Sequence, residues 1–276
     1  LCKKKTFLLT KMKILEKNKI VILIGNKLWN WNTVLTFKES NLNVVGVCIY
    51  ENRILGIPFK FIFRSIKKRG LITVIDQILG RIFYKILNFR FDKKKIKEIF
   101  DIKKCKDICH SKFVPFYYTK SYNNEKTISW IKKLSPDILV VHSDGWINES
   151  VRKIPNKKLI IGGHPGITPY YRGAYSSFWA LYNGDKDKIG YSIFHINEEV
   201  DAGDLIFQEK IDVSKDDSYM SVDWKSMKLI AIKQAQIIKK YESNNIIEKK
   251  KHEKIPENSE HPIPGLSHYL DFLKKK

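Results

Sequence analysis

The chain has 276 residues, of which 43% are hydrophobic, enough for one large domain with a real core, or for one domain with a small appendage. Lysine and arginine number 51 against 29 acidic residues, which gives a formal net charge of +22. Such a surface attracts phosphorylated small molecules, RNA or anionic lipid, but a coding bias toward Lys, Ile and Asn also explains a charge spread along the whole chain. No apolar run reaches the roughly 18–20 residues of a spanning helix, so no transmembrane segment is predicted.

The four cysteines, at positions 2, 48, 105 and 109, show no disulfide framework. This fits the reducing cytoplasm, where we expect the protein to act. Cys105, Cys109 and His110 form a C-x3-C-H cluster, whereas zinc sites usually have two-residue spacings and a second pair of ligands. We therefore predict no metal site.

The first residues are predicted to be an N-terminal extension over 1–18, with Met12 as a candidate start. Three lysines precede a short apolar run at 7–9, which faintly resembles a signal peptide but is too short to be one.

Two nearly continuous apolar runs, at 19–26 and 43–50, are typical of buried parallel strands. A polar segment that fits a helix lies between them. Strand, helix and strand at this spacing predict the opening of an α/β nucleotide-type fold.

Residues 52–110 interrupt this rhythm with a basic insertion around one strongly periodic helix. Its apolar residues recur at steps of three and four and therefore share one face: Leu71, Val74, Ile75, Ile78, Leu79, Ile82, Phe83, Ile86 and Leu87. Polar residues take the other face: Asp76, Gln77, Arg81 and Lys85. The pattern favours a helix that packs its apolar face on the domain. An interfacial membrane helix and a dimer contact, as in a homodimer, are the alternatives.

After the insertion, predicted strands and helices alternate again. Strands are predicted at 113–117, 137–142, 158–161, 190–196 and up to 208, and helices at 124–134, 147–152, 175–183 and 223–241. We expect a Rossmann-like α/β domain over 19–212, with a mostly parallel sheet and helices on both faces, followed by a C-terminal helix and tail over 213–276.

Three loops follow predicted strands, at 142–146, 162–173 and 198–204, and ligands of parallel sheets bind at the carboxyl ends of strands. His164 comes directly after a buried strand, among glycines and prolines that constrain its backbone. Asp201 follows a neighbouring strand and is placed to reach the imidazole and to hold its tautomer. The two side chains are candidate site residues.

The wider sequence around these residues carries a more specific pattern. It reads HPGITPYYRG at 164–173, FWALYNGD at 178–185, GYSI at 190–193 and DAGDLI at 201–206. In order and spacing these strings resemble the formyltransferase family that uses 10-formyltetrahydrofolate and includes glycinamide ribonucleotide, methionyl-tRNA and amino-sugar formyltransferases. The family pattern begins N-x-H-x-x-x-x-P-x-Y-R-G and continues with W-A-x-x-N-G and then D-x-G.

The resemblance implies a catalytic trio of Asn, His and Asp. His164 and Asp201 match it, but Gly162 stands where the family has the Asn. Losing one donor to a developing oxyanion commonly costs on the order of 100- to 1000-fold in rate. Three outcomes stay open: another group or a backbone N–H of the Gly162-Gly163 turn substitutes, the enzyme is slow, or it is a degenerate protein that binds folate or another anion.

The resemblance also implies where ligands bind, with 10-formyltetrahydrofolate as co-substrate and without a metal. The folate contacts that it implies are Val140, Val141, His142, Ser143, Asp144, Val200 and Gly203. Substrate contacts are expected from Tyr171, Arg172 and Gly173.

The acceptor is expected to be the primary amine of a small molecule, for example a phosphorylated one such as a nucleotide-linked amino sugar. Methionyl-tRNA enzymes carry a substantial C-terminal domain, whereas the sequence after Asp204 predicts a helix and a polar tail. Purine-pathway enzymes lack the 52–110 insertion. Both remain alternatives, as do a formyl-folate hydrolase and a non-catalytic protein that binds RNA or anionic lipid, although nucleic acid is the less expected partner.

Overall fold

A computed structural model describes residues 17–51, 63, 66–67, 69–111, 113–143, 145–252 and 254–275. The expectations for most of the N-terminal extension, for the first part of the insertion and for Asp144 fall outside these residues.

A seven-stranded sheet forms the centre of the described fold, in the order β3-β2-β1-β4-β5-β7-β8. Its strands are β1 (Ile20–Gly25), β2 (Val44–Tyr50), β3 (Phe116–Thr119), β4 (Ile138–His142), β5 (Leu159–His164), β7 (Gly190–His195) and β8 (Leu205–Lys210). The first five in this order are parallel, and β7 and β8 are antiparallel to their neighbours. The mostly parallel α/β sheet predicted from the apolar runs is therefore confirmed.

Helices cover both faces of this sheet. They are α1 (Trp31–Glu39), α2 (Leu71–Ile99), α3 (Ile102–His110), α4 (Glu125–Leu134), α5 (Glu149–Arg152), α6 (Ser176–Tyr182), α7 (Tyr219–Asn244) and α8 (Leu266–Lys275). Helices α1, α3 and α7 share one core layer with the sheet, and α4 and α5 pack in a second layer on its other face. None of the helices in the described part of the chain combines the length and the apolar character needed to cross a bilayer.

The orientation of α2 differs from the expectation. Its buried residues are Val74, Gln77, Gly80 and Ile99, while most of the predicted core face, including Ile75, Leu79, Ile82 and Ile86, is exposed. The reason lies at Gly80, where a Cβ would collide with the backbone of Gly265 and Leu266 at 2.6 and 2.7 Å. Because glycine has no side chain, α8 can approach α2 closely at this position. The close approach orients Gly80, and not the isoleucines, toward the interior.

The C-terminal segment adds to the same core and covers the site loops. Helix α7 contributes Ile230 and Ile238 to the layer shared with α1. The short strand β9 (Glu260–His261) pairs in parallel with β6 (Arg172–Gly173). The tail thus lies directly on the loop that follows β5.

Candidate functional site

The strand β5 carries the first candidate residues to the edge of the sheet. It continues through Gly162 and Gly163 to His164, whereas the sequence predicts that the strand ends at residue 161 and that a turn follows. Gly162 is paired with Val141 of β4 on one side and with Phe194 of β7 on the other. Because these two glycines lie inside a paired strand, they form no turn with amide groups turned toward a ligand.

The space beside Gly162 is filled by apolar side chains. A Cβ at this position would lie 2.8 and 2.9 Å from two carbons of Ile196 and 3.0 Å from Phe194. On the opposite face, a Cβ at Gly163 would overlap Ile230 of α7. Both glycines therefore serve the packing of neighbouring elements.

His164 is buried, and both of its ring nitrogens have partners. Nδ1 lies 3.3 Å from Oδ2 of Asp201. Nε2 lies 2.8 Å from the carbonyl oxygen of Tyr171 and 2.7 Å from Oγ of Ser176. The structure thus brings together the predicted His164 and Asp201, and it adds a serine that the sequence did not single out.

Asp201 is held in place by the loop that contains the Arg-Gly pair. Its backbone has a φ of 49°, in the left-handed region, and its Oδ2 accepts the backbone N–H of Gly173 at 3.0 Å. Nε of Arg172 donates to the carbonyl of the adjacent Val200 at 2.8 Å. Gly203 completes the turn, because a Cβ there would overlap the carbonyl oxygen of His195.

The predicted substrate contacts are mostly turned inward. Arg172 is buried, and its Nη1 donates to Ser259 of the tail at 3.3 Å. The buried Tyr171 donates its hydroxyl to Asp185 at 2.7 Å, and burial raises the pKa of Tyr171 to about 12. These contacts assign Arg172 and Tyr171 to the support of the site loops. Direct contact with a substrate stays a prediction for them and for Gly173.

The end of β4 holds the predicted folate residues. The side chains of Val140 and Val141 lie in the two core layers, and a folate contact of these two residues stays a prediction. His142 is buried, its Nδ1 shares a hydrogen bond with the hydroxyl of Thr33, and burial lowers its pKa to about 4. Its Nε2 has no hydrogen-bond partner within the described part of the chain.

An unused, buried polar atom at a strand end fits a ligand with hydrogen-bonding ring atoms, such as a pterin. Ser143 lies next in the chain, with its Oγ accepting the backbone N–H of Gly145 at 3.1 Å. The folate assignments to His142, Ser143, Val200 and Gly203 stay predictions.

A buried carboxyl group that was not predicted from the sequence lies beneath the site. Asp223 of α7 accepts the backbone N–H of Ser177 at 3.4 Å, one residue from Ser176. Burial raises the pKa of Asp223 to about 7. Within an amphipathic helix pattern, nothing marks this aspartate as buried, so only the three-dimensional structure could find it.

The three residues of the C-x3-C-H cluster all lie on α3. Cys105 is part of the core, and Nδ1 of His110 shares a hydrogen bond with the carbonyl of Lys106 at 2.8 Å.

Comparison with known proteins places this geometry in a family context. The family model described as Formyl transferase matches residues 88–252. A methionyl-tRNA formyltransferase from Sulfurihydrogenibium sp. (strain YO3AOP1) is 36% identical over 161 residues, which are 58% of this chain and 50% of that protein. The chain therefore spans about half the length of this curated relative.

Two solved structures share the fold. A phosphoribosylglycinamide formyltransferase from Anaplasma phagocytophilum has a TM-score of 0.57 at 15% identity, and covers 87% of this chain and 98% of its own. A sugar N-formyltransferase from Shewanella sp. has a TM-score of 0.52 at 14% identity, with coverages of 93% and 87%.

Proposed function

This chain belongs to the formyl transferase family, and from that membership we propose that it transfers a formyl group from 10-formyltetrahydrofolate to the primary amine of a small molecule. The observation that carries the proposal is the contact of 3.3 Å between His164 Nδ1 and Asp201 Oδ2, at the carboxyl end of β5. Both residues match the family pattern, and ligands of such sheets bind at this edge.

The folate supplies an activated formyl carbon, and the residues of this chain handle charge and protons around it. As the amine adds, negative charge develops on the formyl oxygen, and a preorganised N–H stabilises it. We assign this to the imidazole of His164, which exchanges one of its Nε2 contacts for the substrate oxygen. Asp201, whose side chain is 23% exposed, accepts the proton of the amine directly or through water. It returns that proton to the folate nitrogen as the bond between this nitrogen and the formyl carbon breaks, which releases the folate and leaves the formyl group on the amine.

For the acceptor, we propose an amine on a nucleotide-linked sugar. The fold shared with a sugar N-formyltransferase supports it, and a net charge of +22 would favour a diphosphate group. Methionyl-tRNA is the second candidate, because the curated relative with 36% identity bears that name.

The first test is formylation by the purified chain of nucleotide-linked amino sugars, glycinamide ribonucleotide and methionyl-tRNA, with 10-formyltetrahydrofolate as donor. We expect His164→Ala and Asp201→Asn to lower kcat by about 100-fold or more, since His164 stabilises the oxyanion and Asp201 handles the proton of the amine. His110→Ala, at the exposed end of α3, is the matched control and should match the wild type. No turnover on any acceptor, or full activity of His164→Ala, would remove the proposal.

The second test concerns Ser176, which we propose positions His164 through the 2.7 Å contact with Nε2. Loss of one such hydrogen bond is worth about 1 kcal/mol, so Ser176→Ala should lower kcat roughly fivefold and leave KM nearly unchanged. The pH–rate profile and the ring-proton resonances of His164 should shift as well. Ser176→Thr keeps the hydroxyl group and should restore kcat and the pH–rate profile. Ser243→Ala, at an exposed position of α7, is the control and should have no effect. An unshifted profile in Ser176→Ala would show that the serine only fills space.

A further inference from the structure

Helix α2 presents a continuous apolar surface to solvent. Its members recur at steps of three and four and are each between 44% and 74% exposed, and we call them the apolar stripe: Leu71, Ile75, Leu79, Ile82, Ile86 and Phe89. At 1.5 Å per residue the stripe is about 27 Å long. Monomeric proteins rarely expose contiguous apolar patches of this kind, and such patches mark interaction sites.

The same helical face becomes basic toward its C-terminal end. Three exposed residues follow Ile86 at the same steps of three and four, and we call them the basic patch: Arg90, Lys93 and Lys97. They border a surface cleft together with Lys94 and Glu98. One face of one helix therefore offers apolar side chains and positive charge side by side.

This combination argues against a second copy of the chain as the covering partner. An antiparallel pair of α2 helices that joins the two apolar stripes would bring each basic patch to the start of the partner's α2, beside the basic Lys67 and Arg69. A parallel pair would place two basic patches together, on chains that each carry a net charge of +22. Neither arrangement is electrostatically complementary.

A partner with an apolar interior and a negatively charged surface is complementary to both the apolar stripe and the basic patch of α2. We propose that α2 docks on anionic lipid bilayers, lying along the surface. The apolar stripe enters the boundary between headgroups and acyl chains, and the basic patch contacts lipid phosphates. Most of the stripe precedes residue 88, where the family match begins, so this docking is separate from formyl transfer.

Co-sedimentation tests this with the purified full chain and two kinds of vesicle. One kind is phosphatidylcholine alone, and the other is an equal mixture with phosphatidylglycerol. We expect binding to the mixed vesicles only. Ile82→Ser combined with Ile86→Ser should weaken that binding roughly tenfold or more, because two buried side chains are lost from the bilayer. Lys93→Glu combined with Lys97→Glu should weaken it by a similar factor, since each basic residue near the surface contributes about fivefold.

Matched controls change the same residue types elsewhere. Ile246→Ser alters an isoleucine that is 61% exposed outside α2, and Lys132→Glu with Lys133→Glu alters exposed lysines of α4. These variants should bind like the wild type, and circular dichroism checks that every variant is folded.

Three results would overturn the proposal. The first is no binding to anionic vesicles, or binding that the stripe variant leaves unchanged. The second is a dimer in sedimentation velocity that Ile82→Ser with Ile86→Ser dissociates. The third is that the chain binds tRNA but no vesicles, and that tRNA binding is lost in Lys93→Glu with Lys97→Glu but kept in Ile82→Ser with Ile86→Ser.

Discussion

Gly203 shows how one missing side chain fixes the position of a candidate site residue two places away, Asp201. The turn that holds Asp201 passes so close to β7 that a Cβ at 203 would overlap the carbonyl oxygen of His195. The carboxylate of Asp201 depends on this path, because it contacts both His164 and the amide of Gly173.

Gly203→Ala is therefore expected to lower the free energy of unfolding by on the order of 2 to 4 kcal/mol, because the turn must move away from β7. It should also slow formyl transfer through the displacement of Asp201. Urea denaturation measures the first effect, and an assay with the accepted amine measures the second.

Gly184→Ala is the matched control, because Gly184 has a φ of +77° but open space around it. It should cost roughly 1 kcal/mol from backbone strain alone and leave the rate unchanged. Equal losses in the two variants would contradict the importance of the close approach at Gly203.

Among the elements, α6 and α7 support the site from below. The N-terminal turn of α6 carries Ser176 toward His164, and α7 holds that turn through Asp223. The carboxyl group of Asp223 is buried, and burial raises its pKa from 3.8 to about 7.

This raised pKa gives the stability a defined pH dependence. A carboxyl group whose pKa is higher in the folded state contributes stability that is fully present below the unfolded pKa and is lost as pH rises through the folded pKa. Between about pH 4 and pH 7, wild-type stability should thus fall relative to that of Asp223→Asn, which does not titrate. The difference is measured by urea denaturation across this range.

His142 titrates in the same window with the opposite sign, because burial lowers its pKa to about 4. Comparison with a variant, rather than the wild-type curve alone, isolates Asp223. The exposed Asp216→Asn is the control and should run parallel to the wild type. Parallel curves for wild type and Asp223→Asn would contradict the assignment.

The elements also show what the sequence could predict. Apolar runs located the buried strands, because buried parallel strands need apolar side chains on both faces. The end of β5 was placed too early, since glycines lower the apolar signal although Gly162 and Gly163 are paired.

The face of α2 was wrongly predicted for a related reason. Periodicity reports which residues share a face, but Gly80 decides which face α8 can approach. At the site, strand ends and the family pattern pointed to His164 and Asp201. Ser176 and Asp223 stayed hidden, because a short polar side chain in a helix gives no sign of its burial.

At the scale of the whole molecule, the C-terminal tail covers the site loops. The amide of Arg172 donates to the carbonyl of Ser259 at 2.8 Å, and the amide of Ala174 donates to that of His261 at 3.0 Å. The ring of His261 stacks on Tyr171 and Trp179, with ring centres 5.0 and 5.4 Å apart.

His261→Ala should loosen this cover, because aromatic pairs of this kind contribute about 0.5–1.5 kcal/mol. The backbone amides of Arg172 and Ala174 should then exchange with deuterium roughly two- to tenfold faster. Hydrogen exchange with peptide-level mass spectrometry measures this, and His110→Ala serves as control. Unchanged exchange over 172–174 would mean that strand pairing alone holds the tail.

The filled space beside Gly162 has a consequence for the engineering of this chain. A larger residue at 162 meets the side chains of Ile196 and Phe194 at once, so an amide donor installed there requires these side chains to shift. Shortening Ile196, which is partly buried against the core, would make room for the larger residue and would by itself remove apolar contacts. The choice of residue at 162 is therefore coupled to the choice at 196, and a design that changes one position has to change both together.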